Sequence, residues 1–228
     1  MVIRDATGQI VPFGKVHKQL VADFLYGTLP DWVEVVGTPT FEPLPDRGTI
    51  TVTTPTTAGA TAELKMKHLI DSSKVTAIAI TLEALQLNGN IGISVQVGIK
   101  SKDSKAGITF FQNVNQKYGM VRAYKADGTY TDFNQNMVFF TTHGVAGDEA
   151  QNRKNLTVLL CTGLQFSAGF ERPSVWLGAD DQYGGVAADL SGGLFQHGEL
   201  QCLLKLTTSK AEAKYFKCAQ MKVDIWSN

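Results

Sequence analysis

Apolar and polar residues alternate with a period of two over much of this chain. Leu200, Cys202, Leu204 and Leu206 share one face of a strand, with Leu203 interrupting the polar face, because successive side chains of a strand point to opposite sides. In Gly48-Thr-Ile-Thr-Val-Thr-Thr54 the same alternation sets Ile50 and Val52 inward and Thr49, Thr51 and Thr53 outward. Threonine alternating with branched apolar residues is a strong strand signal. Further strands are predicted at about 60–68, 75–85, 91–100, 107–112, 118–125, 137–142, 155–161 and 173–178. Turn-forming stretches separate them: Asp71-Ser-Ser, Asn88-Gly-Asn, Ser101-Lys-Asp-Ser-Lys, Ala126-Asp-Gly and Gly144-Val-Ala-Gly-Asp, whose residues accept tight or left-handed backbone at little cost.

Two segments read differently. Val16, Leu20 and Phe24 recur every four residues while Lys15, Lys18 and Asp23 lie off that stripe, which predicts a short amphipathic helix over about 14–26. Pro12 and Gly27 punctuate it. Near the other end, Ser209 and Glu212 have the spacing of a capping box, which predicts a second short helix over 209–217, packing through Ala213 and Phe216. Many short strands and only two short helices make an all-β, two-sheet antiparallel sandwich rather than alternating βαβ units.

The closing segment carries a resemblance. Phe195-Gln-His-Gly-Glu-Leu200, an apolar strand, and then Ser209-Lys-Ala-Glu-Ala-Lys-Tyr-Phe216 resemble the end of concanavalin-A-like jelly rolls, particularly their laminin-G-like branch. Trp32-Val-Glu-Val-Val-Gly-Thr-Pro-Thr40 and the strand at 48–54 look like the opening strands of the same domains. The resemblance covers about residues 30–226. It implies a jelly-roll β-sandwich over 31–228, preceded by an N-terminal helical anchor segment over 1–30. Domains of this type occur in bacteriophage structural and adhesion proteins.

Composition narrows the partners. Hydrophobic residues make up 43% of the 228 and charged residues 18%, which suits a buried core with exposed strand faces filled by Thr, Ser, Asn and Gln. Twenty-one basic and twenty-one acidic residues cancel, and without a dense basic cluster nucleic acid is not an expected partner. No segment is long and apolar enough for membrane insertion, and the first residues lack the apolar core of a signal peptide. Production in a reducing cytoplasm and a place in a virion released by lysis are the expectation. Cys161, Cys202 and Cys218 are an odd number without metal-type spacing and read as buried free thiols.

Catalytic chemistry finds no support. Concanavalin-like glycosidases carry their carboxylates as Glu-x-Asp-x-Glu on one strand, since alternation then puts them on one face. Here the nearest pairs, Asp148-Glu149 and Asp180-Asp181, are adjacent in sequence and would point to opposite faces. His17, His68, His143 and His197 have neither a nucleophile elbow to serve nor metal spacing. No cofactor is expected, with calcium the one candidate. Asp180, Asp181 and Asp189 lie in a Gly-rich stretch and supply the oxygens a hard cation takes; the alternative is that they are solvated turn formers.

Sugar binding is the most specific chemistry on offer. Pyranose rings stack on aromatic side chains while their hydroxyls bond to charged and amide groups. Tyr118, Met120, Arg122 and Tyr124 share one strand face, and Trp176 leads toward Tyr183 through a stretch rich in acceptors. Core aromatics with a polar rim are the plainer reading of both. The sequence thus predicts a non-catalytic virion protein, a homo-oligomer contacting host-surface glycan or neighbouring virion proteins. An architectural subunit without a ligand, and a glycoside hydrolase with unrecognised carboxylates, are the alternatives.

Overall fold

A computed structural model describes residues 16–42, 48–88, 92–113, 119–137, 154–161, 174–179, 182–187 and 198–227. Within them the chain forms two antiparallel sheets. The first holds β1 (Val16–Asp23), β3 (Thr38–Glu42), β4 (Thr49–Thr53), β7 (Val75–Leu87), β12 (Lys154–Cys161), β13 (Ser174–Ala179), β14 (Gln182–Ala187), β16 (Tyr215–Cys218) and β17 (Gln220–Ser227). Its order is β14-β13-β12-β7-β16-β4-β3, with β17 also pairing along β7 and β1 along β17. The second holds β2 (Val33–Val36), β5 (Thr61–Met66), β6 (Ile70–Asp71), β8 (Ile93–Ser101), β9 (Gly107–Asn113), β10 (Gly119–Tyr124), β11 (Tyr130–Met137) and β15 (Glu199–Thr208). Its order is β11-β10-β9-β8-β15-β5-β2, with β6 beside β15.

Alternation dictates what lies between the sheets. Ile50, Val52, Ile78, Ile80, Leu82, Leu156, Val158, Met221 and Val223 of the first sheet meet Leu64, Val95, Val97, Ile99, Phe110, Leu204 and Leu206 of the second in one buried cluster. The Leu200, Cys202, Leu204 and Leu206 stripe is fully buried. Cys202 and Cys218 are buried free thiols, and burial pushes both up to about 12.

The chain crosses from β2 in one sheet to β3 in the other at a single residue, Gly37. Its φ is +104°, and a Cβ there would come within 2.6 Å of the Thr53 carbonyl oxygen, so only glycine turns this corner. Pro39 is the second residue of β3, which among the described residues pairs only with β4. An edge strand tolerates the missing amide donor.

Both expected helices are corrected. Residues 16–23 are β1, paired along its full length with β17 from Val16↔Ser227 to Asp23↔Gln220. A spacing of four is a multiple of two, so a stripe read as one helix face is also one strand face, and the intervening Ala22 is buried with Phe24. Over 209–217 the chain bends and then enters β16, where Phe216 pairs with Val52 and Leu87. Ser209 does not cap a helix: its amide and hydroxyl both donate to the Gly92 carbonyl, at 2.7 and 3.0 Å. Glu212 instead reaches the Lys214 ammonium at 2.8 Å, a side chain only 2% exposed. Ala213 is exposed, while Phe216 enters the core.

Candidate functional site

The outer face of the second sheet is polar, and its residues line up in rows across the strands. Register places Tyr130, Tyr124, Gly107, Lys100 and Gln201 in one row, Asp132, Arg122, Thr109, Gly98 and Leu203 in the next. A third row runs through Asn134, Met120, Phe111, Gln96, Lys205 and Glu63.

Arg122 is the hub. Its Nε donates to Asp132 Oδ1 at 2.6 Å and its Nη2 to Asp132 Oδ2 at 2.8 Å, a bidentate pair between directly opposed residues. Its guanidinium carbon lies 3.8 Å from the Phe111 ring centroid on one neighbouring strand and 3.9 Å from that of Tyr130 on the other, where ring quadrupoles attract the cation. Burial alone would lower the Arg122 pKa; the Asp132 hydrogen bonds reverse this and hold it above its ordinary value.

Tyr124 is partly buried, and burial raises its phenol pKa against the lowering pull of Arg122. Lys100 Nζ lies 4.8 Å from the Tyr124 ring centroid, and Tyr130 meets that ring edge-on at 5.8 Å. Tyr130 itself is 54% exposed. A tight turn, Lys125-Ala-Asp-Gly-Thr129, closes the hairpin between the two tyrosines, with Asp127 Oδ1 accepting from the Thr129 amide and hydroxyl. The result is an open aromatic ring resting on a clamped cation.

The other residues singled out in the sequence have different fates. In β13 Trp176 pairs with Leu159 and Gly185, and in β14 Tyr183 pairs with Gly178. The strand β14 ends the first sheet and lies beside β11, which ends the second. The two aromatic stretches therefore come to one edge of the sandwich. Tyr118, Asp180, Asp181 and Asp189 lie outside the described residues, and among those described no group of three or more His, Cys, Asp or Glu could hold a metal.

Sequence reading passed over Tyr130, Asp132, Phe111 and Lys100. A signal existed: Tyr124 and Tyr130 each lie three residues from Asp127, so a hairpin with the three-residue loop 126–128 sets them opposite each other.

No family model matches this chain. No curated protein matches it either. Solved structures do. The Emp47p carbohydrate recognition domain shares its fold with a TM-score of 0.59 at 9% identity, over 90% of this chain and 94% of that one. Peanut lectin matches with a TM-score of 0.52 at 11% identity, over 91% of this chain and 97% of that one. The fold is the concanavalin-A-like jelly roll. Within this jelly roll recognition and catalysis both occur: the Crh5 transglycosylase matches with a TM-score of 0.52 at 12% identity, over 92% of this chain and 84% of that one. The fold alone does not separate the two, and the side chains on the jelly roll must.

Proposed function

We propose that this chain is a non-catalytic, lectin-like sandwich that binds glycan on the outer face of β9, β10 and β11. The observation that carries this reading is Tyr130, 54% exposed yet seated 3.9 Å above the Arg122 guanidinium. A pyranose gains most from an aromatic ring that is already flat and immobile, because little ordering entropy is left to lose on binding. Arg122 supplies that rigidity. Trp176 and Tyr183 share register rows with Leu159 and Thr157, which alternate with the core residues Leu156 and Val158 of the first sheet, so they are not part of this surface. The names of the carbohydrate recognition domain and of peanut lectin agree with it.

Carboxylates on this face argue against glycoside cleavage, which needs one carboxyl free to give a proton and another free to attack or activate water. Asp132 is held by Arg122 at 2.6 Å, Glu63 by Lys205 at 3.0 Å and Glu34 by Lys65 at 3.1 Å. A virion remains the proposed setting, where many copies turn weak single contacts into firm adhesion. Any structural calcium is assigned to Asp180, Asp181 and Asp189, whose hard oxygens suit it.

Tyr130→Ala tests the reading. Binding to isolated cell-wall polysaccharide should fall by about tenfold or more, since stacking one ring contributes on the order of 1 kcal/mol or more, while the loss of the Arg122 contact lowers the melting temperature by only a few degrees and leaves the protein folded. Undiminished binding by the folded variant would remove this surface as the site. Reducing ends accumulating in the wild-type incubation would remove the non-catalytic reading.

A further inference from the structure

Charge on the outer face of the second sheet does not balance. Among the described residues four cations lie on it: Lys65, Lys100, Arg122 and Lys205. Three are matched, by Glu34 at 3.1 Å, Asp132 at 2.6 Å and Glu63 at 3.0 Å. Lys100 is the fourth. It is partly buried, it makes no ion pair among the described residues, and it lies against the Tyr124 ring at 4.8 Å.

The backbone beneath it directs this arrangement. Gly107 lies between Lys100 and Tyr124 in their row, and a Cβ on it would come within 2.8 Å of Lys100 Cγ. Glycine there leaves room for the lysine stem to cross β9 and carry its ammonium to the tyrosines. Taking an ammonium out of water without an anion is unfavourable. Burial and then the neighbouring Lys205 charge hold the Lys100 pKa below its usual value, and Glu63 only partly offsets them. Two more groups in the same rows lack partners: the Thr109 hydroxyl and the Gln96 side-chain carbonyl are buried without a hydrogen bond.

We infer that the ligand is an acidic glycan, and that Lys100 reads its anionic group while the sugar ring stacks on Tyr130. This rests on the glycan reading above and adds the charge of the sugar to it. A neutral sugar could use the tyrosines but would leave the Lys100 ammonium uncompensated, whereas a carboxylate or phosphate gives it a charge-assisted hydrogen bond at a partly desolvated site. Uronate and phosphate share that chemistry.

Titration calorimetry on the full chain with polygalacturonate, a mannose-phosphate polymer (phosphomannan) and neutral dextran tests it. At least one of the two anionic polymers should bind about tenfold more tightly than dextran, the order of one charge-assisted hydrogen bond, and which one does so distinguishes uronate from phosphate. Lys100→Gln should reduce the preferred polymer to the level of dextran, Lys100→Arg should retain most of the preference, and added salt should erode it in the wild type. Lys100→Met, which keeps the apolar stem and removes the charge, should weaken the preference in the same direction if Lys100→Gln does not fold. Equal binding of dextran and the anionic polymers, or a preference that survives in folded Lys100→Gln, overturns this inference and leaves the glycan reading standing. No binding to any of the three, with Tyr130→Ala also without effect on cell-wall adhesion, overturns both.

Discussion

Arg122 faces its carboxylate across β10 and β11 and lies between two rings, which makes it a positioning residue for Tyr130. Asp132→Asn keeps the shape of the partner and removes its charge. The variant should lose about 1 kcal/mol of stability, toward the upper end for a partly exposed but bidentate pair, read as a lower urea midpoint. Glycan affinity should fall with it, because the Tyr130 platform loosens. The buried thiols give a second residue-scale expectation. With Cys202 and Cys218 held up to about 12 from 9.0, native thiolate is suppressed by about a thousandfold, and thiolate is the reactive form. Alkylation at pH 8 should wait for unfolding. The unfolded chain ionises these thiols first, so their stabilising contribution is complete below about pH 9 and is lost as pH rises toward about 12. A thermal melt series across that window checks the sign.

Elements were legible where the period was unambiguous. β5, β7, β8, β9, β12, β13 and β15 fall where alternation and turn residues place them, because a strand with one buried face must alternate. β1 and β16 were misread for one reason: apolar residues four apart, or a Ser-x-x-Glu pair, satisfy local helix rules, while the pairings to β17 and β4 that decide the outcome are remote in sequence. The bulge in β7 was not legible either. Ala84 has φ of +51°, its amide donates to Asn155 Oδ1 at 2.9 Å, and the register with β12 shifts there. The bulge separates the part of β7 that pairs with β17 from the part that pairs with β16. Left-handed backbone costs alanine about 1 kcal/mol relative to glycine. Ala84→Gly should therefore raise the melting temperature, whereas Asn155→Ala, which leaves the amide unpaired, should lower it.

At the scale of the molecule, the jelly roll was readable from its closing strand, but the site was only half so. Arg122 and Tyr124 could be placed on one face by alternation; their partners come from β9 and β11, and no spacing rule ranks which tyrosine ends exposed. The same dependence on remote pairing governs the N-terminal segment. Sequence alone makes residues 1–30 an anchor beside the sandwich, and a protein beginning at residue 31 puts that division to the test. β1 covers the outer edge of β17 along eight residue pairs, and Phe24 is fully buried in the core cluster while its amide donates to the Ala219 carbonyl at 3.1 Å. Phe24→Ala alone should cost about 3–5 kcal/mol, the range for emptying a large aromatic site in a packed core. Removing the whole segment adds an uncovered strand edge, a template for pairing with other chains. The truncated protein should therefore melt well below the parent and sediment as aggregates. A truncated chain that is monodisperse, with the parent's melting temperature, would show that β1 is a separable anchor after all.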